Sequence, residues 1–268
     1  MRLNKFISHN SAYSRREAET LIKNGAVKVG NKTVKEPFYE VKDNDRVYIN
    51  GKPLKKKRTF TVIVYNKPKG ELVTKKDDRG RRTIYHTLPQ KFRHFIPIGR
   101  LDFATEGLLL LTDSPKVAKA LMESDLERVY NVKIKGPVTP KMERAMSEGM
   151  ELSDARAGGH EKSEIESMVF APFFAYKIVK NSPGYSKLKI ALTEGKNREI
   201  RRFFAHFGAQ VLDLKRVEFG GVALNALPTG KTRYLTKKEY SDLKEFLKET
   251  EKKEREVKDA DNRNKNKP

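Results

Sequence analysis

Four consecutive leucines, Leu108–Leu111, entered through Thr105-Glu106-Gly107 and closed by Thr112, constrain this chain more than any other stretch. A run that short and that apolar, bounded by turn residues, reads as a buried strand of a sheet. Immediately before it stands Gly99-Arg100-Leu101-Asp102-Phe103-Ala104. Asp102 therefore falls on a turn at the lip of that sheet, where a charged side chain can face a substrate. An isolated Asp in a loop usually does no more than shape the turn, so its chemistry has to be argued from the company it keeps.

The charge balance narrows that company. There are 57 Lys+Arg against 35 Asp+Glu, a net charge of +22. Such an excess attracts polyanions over long range and points to nucleic acid. Cys is absent, which excludes a disulfide, a thiolate nucleophile and any cysteine metal site. The histidines, His9, His86, His94, His160 and His206, are scattered without metal-ligand spacing, so no metal is expected. Neither a GxxxxGK[ST] loop nor a dinucleotide fingerprint is present, and no nucleotide or other cofactor is expected. No apolar run approaches membrane length, and Met1-Arg2-Leu3-Asn4-Lys5 lacks a signal-peptide core. The expectation is a cytoplasmic monomer with no membrane partner.

Three compositional regions divide the chain. Residues 1–55 form a small basic unit. Leu3, Phe6 and Ile7 have helical spacing, and Ser14-Arg15-Arg16-Glu17 is a capping box ahead of the apolar stripe Ala18, Leu21, Ile22. Asn24-Gly25 closes that helix. Val27, Val29, Val41, Val47 and Ile49 predict short strands separated by turns at Gly30-Asn31 and Asp43-Asn44-Asp45. Residues 56–59 read as a basic linker. From 60 to 247 the pattern is mixed. Strands are predicted over Phe60–Tyr65, Leu108–Thr112, Tyr130–Lys135, Glu164–Phe170, Tyr176–Lys180, Lys187–Leu192 and Val211–Phe219. Helices are predicted from Ser114-Pro115, Thr139-Pro140, Asn197 and Thr236. Many strands with few intervening helices predict an α+β fold on a mixed, largely antiparallel sheet flanked by helices. Residues 248–268 are almost wholly charged or polar and predict a fraying helix followed by a disordered tail.

Several segments carry a family likeness. Gly99–Thr112 resembles the active-site motif of pseudouridine synthases, in the branch that modifies bacterial ribosomal RNA (the RsuA/RluB type). Two further segments fit it: Glu127-Arg128-Val129-Tyr130-Asn131-Val132-Lys133-Ile134-Lys135-Gly136, and Glu194-Gly195-Lys196-Asn197-Arg198-Glu199-Ile200-Arg201-Arg202-Phe203-Phe204. Leu214-Lys215-Arg216-Val217-Glu218-Phe219-Gly220 with Leu227–Leu235 completes the match, and Tyr65-Asn66-Lys67-Pro68-Lys69-Gly70 fits the start of the family's catalytic domain. The turn in that last segment is explained by Pro and Gly alone. Residues 1–55 resemble the S4-type (alpha-L) RNA-binding domain.

The resemblance implies an isomerase that turns uridine in ribosomal RNA, or in a pre-ribosomal particle, into pseudouridine. It implies Asp102 as the essential carboxylate, Tyr130 against the target base and Arg201 paired with Asp102. A guanidinium would keep that carboxylate ionised and oriented through two parallel hydrogen bonds. RNA contacts are expected from Arg2, Lys5, Arg15, Arg16 and Lys23 in the N-terminal unit, where Lys28 is also exposed. Arg100, Arg198 and Arg202 are expected to add contacts in the catalytic unit, with Leu214 as a pocket wall. Ser153–Ser163 and Pro172–Tyr176 match no fixed motif and read as variable loops that help choose the RNA site. The likeness favours 23S RNA of the large subunit. The alternatives are a 16S target, a catalytically silent ribosome-assembly protein, and a nucleoside hydrolase, which would need neither the charge nor a separate RNA domain.

Overall fold

The computed structural model describes residues 1–11, 13–42, 44–55, 60–160 and 163–265, with backbone alone at 254 and 257–265. The expected linker 56–59, Asp43 of the expected turn, Glu161 and Lys162 of the Ser153–Ser163 segment and the last three residues of the tail lie outside the described residues.

In the N-terminal unit α1 (Leu3–Asn10) and α2 (Arg15–Lys23) pack on a small sheet. Ser14 Oγ accepts from the Glu17 amide at 3.2 Å, and the Ser14 amide donates to the Glu17 carboxylate at 2.6 Å. Two otherwise orphaned donors of α2 are thereby satisfied. Strands β1 (Val27–Val29), β2 (Lys32–Thr33), β3 (Val47–Ile49) and β4 (Lys52–Pro53) are ordered β2-β1-β3-β4. Leu3, Phe6, Ile7, Ala18 and Ile22 close on Val27, Val47 and Ile49. Val41 departs from its expected strand. It is buried in the same core, but its amide ties to the Met1 carbonyl at 2.9 Å rather than to a neighbouring strand.

The second unit is built on one large sheet. Its elements in chain order are β5 (Val62–Lys67), α3 (Ile84–Thr87), β6 (Ile96–Pro97), β7 (Glu106–Thr112), α4 (Pro115–Met122), β8 (Arg128–Lys135) and α5 (Pro140–Glu148). They continue as β9 (Met150–Leu152), β10 (Met168–Phe170), β11 (Ala175–Lys180), β12 (Tyr185–Leu192), α6 (Glu199–His206), β13 (Val211–Phe219), β14 (Val222–Ala223), β15 (Thr232–Tyr234) and α7 (Lys237–Lys265). The sheet runs β11-β12-β8-β13-β7-β5-β15, with β14 on β13 and β6 on β7. Every pairing in it is antiparallel except β13 against β7. At that crossing Gly107 has φ 105°, and a Cβ there would lie 2.2 Å from the Arg216 carbonyl oxygen. Only glycine admits both the conformation and the approach.

The leucine run is buried on both faces, which is why it does not alternate. Leu108 and Leu110 join Val62 and Val64 beneath α4 and α7. Leu109 and Leu111 join Ile63 and Tyr65 beneath Ile84, Leu88, Phe92 and Phe95. In the other half, Val132, Ile134, Leu188 and Ile190 are covered by α5 and by Phe203 and Phe204 of α6. The opposite face of β8, β12 and β11 is open and carries Lys133, Lys187, Lys189 and Lys177.

Two expectations are corrected here. The strand predicted over Glu164–Phe170 shrinks to β10, paired only with β9. The Glu166 carbonyl is taken by the Ala155 amide and the Ile165 carbonyl by Arg202, so no partner strand can extend along them. The tail also differs, because α7 runs on to Lys265. Leu243 and Leu247 dock its first half, and Lys116–Glu251 (2.7 Å) pins the next turn. A helix once nucleated propagates at little cost.

Candidate active site

The Asp102 loop sits on a buried cation. Lys67 ends β5 with no exposed surface, and its Nζ donates to the carbonyls of Thr105 (2.8 Å), Pro68 (2.9 Å) and Asp102 (3.2 Å). Three carbonyls use all three ammonium donors. Burial pushes Lys67 down to about 8, opposed by the Glu71, Asp102 and Glu106 carboxylates. The loop is closed further by Thr105 N donating to Asp102 O (3.0 Å) and Gly70 N to Phe103 O (2.8 Å). The Tyr65–Gly70 segment therefore does more than turn the chain, and that support was not read from the sequence.

The Asp102 carboxylate is one-third exposed and faces Arg198, Nη1 to Oδ2 3.6 Å. Arg198 stands ahead of α6 in the left-handed region, φ 51° and ψ 29°. A non-glycine residue held there carries about 1 kcal/mol of strain or more, so its surroundings must fix it. They do so from three sides. Arg198 Nε donates to Gly158 O at 2.7 Å, the Arg202 amide donates to Arg198 O at 2.9 Å, and the Lys196 amide donates to the Glu199 carboxylate at 3.1 Å. Glu199 is buried. Burial first, then a hydrogen bond and charge from Glu194, push it up to about 8, with Lys196 opposing. Lys196 Nζ holds Glu194 at 2.8 Å, and against the effect of burial, hydrogen bonds from Glu199, Lys196 and the Ala171 amide lower the Glu194 carboxyl.

The pairing expected for Arg201 is corrected. Arg201 Nη2 donates to Ala104 O (3.0 Å) and Thr105 Oγ1 (3.3 Å), and Nη1 to Val211 O (3.4 Å). It braces the backbone of the loop and forms no ion pair with Asp102 among the described contacts. The left-handed turn at Arg198 takes that residue out of the helical spiral, so Arg198 meets the carboxylate while Arg201 reaches the loop beneath it. Arg202 is corrected as well. It is fully buried and donates to the Ala155 carbonyl, Asn197 O (3.1 Å) and Ser163 Oγ (2.7 Å), out of reach of any phosphate. These contacts, with Gly158 on Arg198, make Ala155, Gly158 and Ser163 a clamp on α6. A Cβ at Gly158 would sit 2.4 Å from Arg201 O.

Asp102, Tyr130, Leu214, Arg100 and Arg198 line one cavity of about 630 Å³, a volume in the range of ligand pockets. Arg128, Glu199, Arg216 and Phe219 also line it, and sequence reasoning gave none of them a role. Arg128 is buried and spends its guanidinium on Leu126 O, Thr193 O and Ser124 O. Tyr130 and Arg216 are register partners on β8 and β13, and Leu214 pairs with Val132. In the N-terminal unit Arg2, Lys5, Arg15, Arg16 and Lys23 are all exposed, and Arg2, Lys5 and Arg15 share a second, shallower concavity. No helix among the described residues is long and apolar enough to cross a membrane.

Comparison with known proteins follows the same division. Residues 61–206 match the family model for RNA pseudouridylate synthase, and residues 1–47 that for the S4 domain. The chain is 54% identical over 250 residues to an uncharacterized RNA pseudouridine synthase of Helicobacter pylori, across 92% of this chain and 95% of that one. It is 33% identical over 248 residues to ribosomal large subunit pseudouridine synthase B of Bacillus subtilis, across 91% and 95%. A crystal structure of a pseudouridylate synthase superposes with a TM-score of 0.60 at 27% identity, covering 91% of this chain and 99% of that one.

Proposed function

The chain belongs to the RNA pseudouridylate synthase family, and from that premise we propose that it modifies ribosomal RNA, at uridine in the 23S RNA of the large subunit. The reaction breaks the N1–C1′ bond of uridine, forms C5–C1′, and matches the proton lost from C5 by one taken up from solvent at N1, so atoms and electrons balance. A stacked uridine is unreachable, so the base is extruded into the cavity. Tyr130 stacks on it, a contact worth about 1–3 kcal/mol, and its hydroxyl oxygen, acting as phenolate, takes the C5 proton. Asp102 supplies the carboxylate at the anomeric carbon, faced by Arg198, while Lys67 and Arg201 hold the loop that carries it.

The observation that supports this most is the convergence of Asp102, Tyr130 and Leu214 on one cavity, with a guanidinium 3.6 Å from the carboxylate. The large-subunit target rests on the likeness to the Bacillus subtilis protein and on +22 of charge suited to a polyanion. The test is a pseudouridine map of protein-free 23S and 16S transcripts after incubation with the enzyme. New pseudouridine in 23S alone is expected. Modification confined to 16S, or to neither, would refute the assigned target.

A further inference from the structure

Arg216 is a cation without a complete set of partners. It is 3% exposed and lines the cavity. Its Nε donates to Leu108 O at 2.8 Å, and its guanidinium lies 5.4 Å from the centre of the Phe219 ring. Its Nη2 is buried and has no hydrogen-bond partner among the described atoms. It forms no ion pair with any described carboxylate. Arg128 also stands over Phe219, at 4.8 Å, but there the carbonyl partners are in place. An unsatisfied donor on a buried charge is among the costlier features a fold can keep, and the side chain that carries it lines a substrate-sized cavity.

Its position says what would satisfy it. Arg216 and Tyr130 are directly opposite on adjacent antiparallel strands, so their Cβ atoms are about 5 Å apart on one face. A pyrimidine stacked on Tyr130 presents its edge to the neighbouring position. We propose that Arg216 recognises the target base, its guanidinium donating to the O4 carbonyl oxygen of the extruded uracil, and that this contact selects uracil. Cytosine carries an amino donor at position 4 where uracil carries an acceptor, and two facing donors leave both unsatisfied. This rests on the reading of the cavity as the uracil site.

The experiment pairs substrate atoms with the side chain. The target uridine is replaced by 4-thiouridine or 2-thiouridine in the RNA that the wild-type enzyme modifies, and single-turnover rates are taken at saturating RNA for wild type and Arg216→Met. Sulfur accepts hydrogen bonds poorly, so the wild-type rate is expected to fall about tenfold for 4-thiouridine, the loss of one charge-assisted bond. Arg216→Met should lower the rate on uridine and then show little further loss on 4-thiouridine. With 2-thiouridine the two losses should multiply. If the losses multiply for 4-thiouridine, Arg216 does not contact O4 and the inference is overturned. Arg216→Lys, which keeps the buried charge, runs through the same cycle should the Met variant fail to fold. Absence of pseudouridine with wild-type enzyme and ordinary uridine would instead overturn the reading of the cavity itself.

Discussion

The N-terminal unit and the catalytic unit use the same basic residues in opposite ways. In the first, Arg2, Lys5, Arg15, Arg16 and Lys23 stand in solvent around two short helices. In the second, Lys67, Arg202, Arg216 and Arg128 are each at most 7% exposed. They bind backbone carbonyls: Lys67 under the Asp102 loop, Arg202 between α6 and Ala155, Arg216 and Arg128 in the cavity wall. The lesson is that a net charge counts two populations. Outward cations create the field that draws RNA, whereas inward ones cross-link irregular backbone that no strand or helix satisfies.

The largest effect separates chemistry from either use of charge. Asp102→Asn keeps size and hydrogen bonding but removes the negative charge, and the single-turnover rate should drop below a few per cent of wild type with RNA affinity nearly intact. An active Asn variant would remove Asp102 from the centre of the site.

Removing residues 1–55 should weaken RNA binding by about ten- to a hundredfold and flatten its dependence on salt, since several phosphate contacts leave together. The rate at saturating RNA should stay within about twofold. Equal affinity and slope in a titration against salt would show that the outward cations are not an RNA anchor.

An inward cation should give the reverse pattern. Arg202→Met leaves the Ala155 and Asn197 carbonyls without their donor, at about 1–3 kcal/mol for each unsatisfied group. Thermal unfolding should move down clearly while the salt slope of binding stays unchanged. Arg15→Met together with Arg16→Met should lower the slope and leave the melting temperature alone. A melt insensitive to Arg202→Met would erase the contrast between the units.

Arg198 and Arg201 sharpen it within one helix turn. Lys keeps the charge but loses the planar fork, so Arg198→Lys is expected to slow the chemical step about tenfold at saturating RNA, and Arg201→Lys only a few-fold. The opposite ranking would return Arg201 to the carboxylate.

The smallest effect is a pH profile. The Glu199 carboxyl is raised above its unfolded value. Its contribution is therefore fully present below the ordinary carboxyl range and is lost as pH rises through about 8. The groups facing it are Glu194 and Lys196 of the preceding loop and Arg128 of β8. Ionisation should loosen the turn that aims Arg198, giving a few-fold loss of rate on the alkaline side. Glu199→Gln stays neutral and should flatten that limb, and an unchanged limb would detach Glu199 from Arg198.

Local signals carried much of this molecule. Caps at Ser14, Ser114 and Thr139 each accept the amide three residues on, and alternation placed β8 and β12, because these features depend on neighbours a few residues apart. Asp102 was legible for the same reason, as a carboxylate on a turn before a buried strand. The extent of α7 was not. Composition alone cannot show that Leu243 and Leu247 dock and carry the helix beyond them.

The amino-acid sequence by itself determined the long strands β5, β7, β8, β12 and β13, the capped helices, the basic N-terminal unit and the carboxylate at the lip of the sheet. Tertiary structure decided which cation serves which partner. Arg198, Arg201 and Arg202 look interchangeable in a row, yet one meets Asp102, one braces the loop and one is buried against Ala155 and Ser163. The choice turns on one left-handed residue and on contacts spanning about a hundred positions, such as Arg201 to Ala104 and Arg216 to Leu108. Spacing along a chain fixes which side chains share a face, but whether a charge ends in water or on a carbonyl depends on what the rest of the fold brings to it.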